Sequence, residues 1–190
     1  MAHAPKLLAI CAACSAAVVL GGCAAHPTAP SRAADPAAAA RAALLPKDQV
    51  LAAWDRLKSL QGSWTGRSSK GWTEQVDYKV IAAGSCMYEI SFGAHPNETM
   101  LTTWTLDTDR VVLTHYCVAK NQPRLLLTAI AADTYTFEFL DATNLSSRDT
   151  GHMDKYVLTF TPEGFTGQWT WYQKGSESWM ERIEHKRTGQ

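Results

Sequence analysis

From Gly62 to the end of the chain, apolar and polar residues alternate with a period of two, broken only by short groups of turn-forming residues. A period of two marks strands with one buried face and one wet face. About ten such segments stand out, near residues 63–68, 72–82, 85–92, 98–107, 110–119, 123–131, 134–140, 153–161, 164–173 and 178–186. Most links between them are turns such as "DTDR", "AKNQ", "AADT" and "TPEG", and links of that length join antiparallel neighbours. A long meander leaves two unpaired edges unless it closes on itself. The expected fold is therefore all-β, an antiparallel up-and-down barrel.

What precedes the strands is different in kind. "PKDQVLAAWDRLKSLQGSW" sets Val50, Leu51, Trp54, Leu57 and Leu60 at helical spacing, with Lys47, Asp48, Asp55, Arg56 and Lys58 on the other side. That is one N-terminal amphipathic helix, placed to plug an end of the barrel. Further back, Lys6 and the run "LLAICAACSAAVVL" read as an export signal, too short to span a bilayer. The stretch from Ala24 to Pro46 is Ala, Pro and Ser with scattered Arg32, Asp35 and Arg41, a tether with no face to bury. The domains expected are a signal peptide at 1–22, a modified Cys23 with its Ala/Pro-rich tether at 23–46, and the barrel at 47–188. With 18 basic and 18 acidic side chains the chain has no net charge to attract nucleic acid.

Several motifs carry resemblances. The tetrapeptide "LGGC" ending at Cys23 resembles a bacterial lipobox, which implies cleavage before Cys23 and a lipid anchor on its thiol. Ala24 in the following position implies sorting to the outer membrane, facing the periplasm. The segment "LQGSWTG", residues 60–66, resembles the first strand of lipocalin-like calycin barrels, whose Gly-x-Trp packs against the barrel floor. "LTHYCVAKNQPR" and "DATNLSSRDTGHM", with "WTW" at 169–171, are similar to a group of uncharacterised bacterial proteins built on that barrel. The resemblance implies a fold and no particular activity. The haem-binding nitrobindins are a nearby barrel type with an axial histidine on a late strand, for which His185 is the nearest match. Their glycine-rich opening runs beyond the position of Gly66, where this chain reads Arg67 and Ser68.

Alternation also assigns an interior. Carrying the register through "DTDR" pairs Leu106 with Val111, Trp104 with Leu113, Thr102 with His115 and Met100 with Cys117. Through "AKNQ" it pairs Cys117 with Arg124, and through "AADT" it pairs Arg124 with Asp141. Back through "GAHPNE" it sets Tyr88 opposite Thr102. The expected ligand-binding cluster is thus Tyr88, His115, Cys117, Arg124 and Asp141, with Asn144 and His152 from the long 141–152 link. In this register Cys86 and Cys117 lie too far apart for a disulfide, so free thiols are expected.

Four uses compete for this cluster. A carrier would hold a small, mostly apolar ligand by an acidic or carbonyl end near Arg124 and His115. A closed core would simply satisfy its own polar groups. Metal binding would employ His115, Cys117 and His152, with zinc suited to imidazole and thiolate, or haem at His185. Catalysis would need Cys117 as a thiolate favoured by Arg124, with His115 as base. The carrier reading is preferred, without a resident cofactor.

Overall fold

A computed structural model describes residues 44–92 and 97–188. The expected signal, Cys23, the expected tether as far as residue 43, and His95 lie outside the described residues, while Leu45, which the sequence places in the tether, packs against the core. Helix α1, Lys47–Lys58, is followed by ten strands: β1 Gly62–Ser68, β2 Thr73–Ile81, β3 Cys86–Ser91, β4 Met100–Asp107, β5 Arg110–Tyr116, β6 Gln122–Ala131, β7 Thr134–Thr143, β8 His152–Thr161, β9 Gly164–Gln173 and β10 Ser176–Arg187. Each pairs antiparallel with its neighbour, and β1 pairs with β10 to close the barrel. The expected all-β up-and-down barrel with one N-terminal helix is the fold observed.

Helix α1 starts at Pro46, whose carbonyl accepts from the amide of Val50 at 3.0 Å. Asp48 lies in its first turn and Arg56 and Lys58 in its last, the arrangement that complements the helix dipole. It buries Val50, Ala53, Trp54 and Leu57, while Leu51 points to solvent. The helix closes the end of the barrel where β1 begins. Trp54 Nε1 donates to the carbonyl of Gly84 at 3.1 Å, and Arg56 lies over the Phe160 ring at 4.1 Å and pairs with Asp133.

Trp64 forms the floor beside it. Its Nε1 donates to the Leu60 carbonyl at 2.7 Å, and its ring meets Phe165 edge-on at 4.9 Å. Arg187 covers the other side of that ring at 4.3 Å and donates to the carbonyls of Gln61 and Ser59, which satisfies acceptors left by the end of the helix.

The opposite end is the mouth, where the links 69–72, 117–121, 144–151 and 174–175 and the described ends of the β3–β4 link lie. Two of these links tie down the long 144–151 segment. Asn121 Nδ2 donates to the Gly151 carbonyl at 2.9 Å, and the Lys174 amide donates to the Asp149 carbonyl at 3.1 Å.

If α1 is the plug that completes the core, removing its largest buried side chain leaves a void under the sheet. Trp54→Ala is expected to cost about 3–5 kcal/mol, read as a lowered denaturant midpoint in urea unfolding. A loss within a few tenths of a kcal/mol would mean the helix is only laid against the barrel.

Candidate functional site

The β4–β5 hairpin has the expected register: Leu106 faces Val111, Trp104 faces Leu113 and Thr102 faces His115. His115 is 3 % exposed and points inward. Across β3, however, Thr102 faces Glu89 and Trp104 faces Met87. Tyr88 is therefore turned to the outer face, opposite Thr103, and Glu89 takes the interior position expected for Tyr88. The link between β3 and β4 is longer than a tight turn and carries no register of its own, and a one-residue slip exchanges the two faces.

The β5–β6 hairpin also departs from expectation. β5 stops at Tyr116, and Cys117 opens a turn in which its amide donates to Asn121 and its carbonyl accepts from Lys120. Thr114, rather than Cys117, then pairs with Arg124. This shift of three residues reverses the face, so Arg124 lies outside. Arg124 does pair with Asp141 as expected, on the outer surface with each side chain about half exposed. Exposed pairs of this kind are worth at most about 1 kcal/mol.

The remaining expected residues are spread around the mouth. Asn144 is exposed, and its amide donates to the Lys120 carbonyl. His152 is fully buried, but a bulge at Asp154 in β8 gives the inward position to Met153. The His152 ring lies instead under the 144–151 link, at 4.8 Å from Phe139 and 5.5 Å from Tyr172. Arg148 contacts His152, pairs with Asp154 and is sandwiched by Phe139 and Tyr172, each at 4.1 Å. This cluster fastens the link to the barrel.

The polar side chains that do converge occupy two cross-strand rows. One is Glu89–Thr102–His115 on β3, β4 and β5. The Thr102 hydroxyl lies 3.0 Å from His115 Nδ1 and also hydrogen-bonds Glu89. The second row is Glu74–Gly66–His185–Phe165 on β2, β1, β10 and β9. A Cβ at Gly66 would press on Glu74, Ile183 and His185 at 3.1–3.2 Å, so glycine is what lets the acid and the imidazole approach across β1. Their closest atoms, Glu74 Oε1 and His185 Nε2, are 3.9 Å apart, and the His185 ring stacks on Phe165 at 4.3 Å. A second glycine, Gly167, makes room for the Tyr156 hydroxyl.

Between the rows lies a cavity of about 50 Å³, walled also by Trp104, Trp169, Tyr156 and Met153. Four buried polar atoms on its lining residues have no hydrogen-bond partner: Glu89 Oε2, His115 Nε2, His185 Nδ1 and Trp104 Nε1. Each orphaned group costs on the order of 1–3 kcal/mol. Glu74 and Glu89 are not among the residues expected from the sequence, and His185 is expected there only as a haem ligand. In "RIEHKR", Ile183 and His185 alternate with Arg182, Glu184 and Lys186, which is a legible signal that His185 points inward.

Burial sets the protonation states. Loss of solvent, reinforced by Glu74, pushes the Glu89 carboxyl up to about 8, against the opposing hydrogen bond from Thr102. Loss of solvent lowers His115 to about 4. At neutral pH Glu89 thus keeps its proton and His115 is neutral. Burial also pushes the Cys117 thiol up, and Arg124 is outside the barrel, so the environment does not favour a thiolate. Cys117 and Cys86 are both free thiols.

His185 does face the interior, but a cavity of about 50 Å³ is far smaller than even ordinary small-molecule pockets of roughly 300–1,000 Å³, and haem does not fit it. His115, Cys117 and His152 occupy three separate surroundings. Among the described residues, no three His, Cys, Asp or Glu side chains are grouped to hold a metal ion. Compared with known proteins, the chain matches no family model and no curated sequence.

The two shifted groups make stability depend on pH. Between pH 4.5 and 6.5 they oppose each other: the folded state keeps a proton on Glu89 that the unfolded state loses, and lacks one on His115 that the unfolded state binds. Above pH 6.5 the Glu89 contribution remains alone, and stability falls as pH rises to about 8, by about 2 kcal/mol. Glu89→Gln is expected to abolish that decline in urea unfolding at pH 6.5 and 8. An equal decline in the variant would show that Glu89 is not buried as described.

Proposed function

We propose that the domain is a small-molecule-binding barrel and that its binding site is the cavity between the Glu89–Thr102–His115 and Glu74–Gly66–His185 rows. The observation that carries this reading is the set of four unpartnered polar atoms around one cavity. Native folds rarely leave buried polar groups unmatched, and convergent polar groups in an otherwise apolar and aromatic enclosure are what orient a bound molecule. The size of the cavity restricts the ligand to a small molecule, in place of the mostly apolar cargo that a larger barrel interior would carry. Tyr88, Arg124 and Asp141 do not take part in this reading, because they face outward.

A second reading, a closed core in which the cavity holds only water, is favoured by that same volume, since about 50 Å³ also suits a few water molecules. Native mass spectrometry of the protein purified undenatured from its own host separates the two. The binding reading predicts a retained small molecule that is lost in His115→Ala. A mass equal to that of the protein alone would favour the closed core.

We place the barrel at the bacterial cell envelope, held by lipid on Cys23, on the strength of the signal-like residues 1–22 and the "LGGC" motif. Cys23→Ser is expected to move the protein from the membrane fraction to the soluble fraction of its host. An unchanged distribution would contradict the anchor.

A further inference from the structure

We propose, building on the reading of this cavity as a binding site, that its ligand is a small primary ammonium compound. The first support is the sign of the charges. Glu74, Glu89 and Glu181 line the cavity, and among the described residues no Lys or Arg does. An anion entering it would meet carboxyl groups without a counter-ion, whereas a cation would meet both carboxylates and the faces of Trp104, Trp169 and Tyr156, which attract positive charge.

The second support is the hydrogen-bonding character of the orphaned atoms. Glu89 is 7 % exposed, His115 3 % and His185 5 %, and each lines the cavity and carries a buried atom with no hydrogen-bond partner. When Glu89 is ionised, the Thr102 hydroxyl donates to it and leaves its oxygen as the acceptor for His115 Nδ1–H. Neutral His115 then has a bare acceptor at Nε2. In the tautomer that places the His185 proton on Nε2, facing Glu74 at 3.9 Å, Nδ1 is likewise an acceptor. Glu89 Oε2 is the third acceptor once its carboxyl ionises. An alkylammonium offers three N–H donors and no acceptor, which complements this trio. The fourth atom, Trp104 Nε1–H, is a donor and calls for an oxygen elsewhere on the ligand. A short amino alcohol carries both the N–H donors and the oxygen that these four atoms call for.

The match also explains why an acid sits unpaired inside the barrel. Without a ligand Glu89 keeps its proton; an ammonium beside it stabilises the carboxylate, so binding near neutral pH releases that proton to solvent. The groups facing Glu89 are Glu74 and Tyr78 from β2, Thr102 from β4, His115 from β5, Tyr156 from β8, and Glu181 and His185 from β10.

The test uses the full-length protein as its host makes it, purified in detergent, and three probes of similar size: ethanolammonium, the neutral isostere ethylene glycol, and the anion glycolate. Binding is followed by tryptophan fluorescence, since Trp104 and Trp169 wall the cavity, and by calorimetry in buffers of different ionisation enthalpy. Ethanolammonium is expected to bind saturably, to release a proton at pH 7, and to bind more tightly at pH 8 than at pH 6. Glu89→Gln, which keeps the shape and removes the acid, is expected to weaken it roughly tenfold or more and to abolish proton release. Folding of the variant is checked independently by its urea midpoint.

Preference for ethylene glycol or glycolate would overturn the cation assignment while leaving the cavity as a binding site. Absence of response to all three probes would also overturn it, and the retained-molecule measurement then decides the binding reading separately. Ethanolammonium binding that is unchanged in Glu89→Gln would place the cation elsewhere and overturn the assignment as well.

Discussion

The pairing of β1 with β10, from Trp64 opposite Arg187 to Ser68 opposite Ile183, is the constraint on which the interior depends. It removes the last pair of sheet edges, and it brings Glu74 and His185 to either side of Gly66. A side chain at residue 66 would force those two groups apart. Beside that seam β1 carries its small residues, Gly66 and Ser68, on the buried face. At the other end of the same strand Trp64 fills the floor, and α1 covers what the ring of strands leaves open.

Closure has a thermodynamic consequence for the polar rows. With Glu89 7 % and His115 3 % exposed, water scarcely solvates either side chain. Burial opposes charge on both, one holding a proton and the other lacking one. The pair stays neutral at neutral pH through separate desolvation, joined by the Thr102 hydroxyl. This differs from the outer Arg124–Asp141 pair, which remains charged in solvent and contributes little to stability. Retaining unmatched buried polar atoms works against stability, and a bound partner that matches them would remove the penalty.

The fold was legible from the sequence because alternation and short turns carry nearly all of its information. Register passed correctly through "DTDR", where a tight turn fixes which residues face each other, and so His115 and Thr102 were placed opposite one another and inside. It failed at the two links that are not tight turns. The 92–99 segment offered no count of residues between β3 and β4, and the apolar set Tyr88 and Ile90 was a more natural interior than Met87, Glu89 and Ser91. The run Leu125, Leu126, Leu127 gave β6 no parity, so Arg124 was carried inward on a turn that in fact begins at Cys117. A bulge at Asp154 is equally invisible to periodicity, and it displaced His152. The fold survives such errors because each strand is amphipathic whichever neighbour sets its register. The site does not, because one residue decides whether an acid or a phenol faces the cavity.

The interior site therefore depends on Glu89 being inside the barrel and out of water. The most direct measurement is a pH titration of the Glu89 side-chain carboxyl carbon by NMR, assigned by comparison with Glu89→Gln. A buried Glu89 is expected to titrate with a midpoint near 8. A midpoint near 4.5, the ordinary value for a glutamate in water, would place Glu89 in solvent and contradict it.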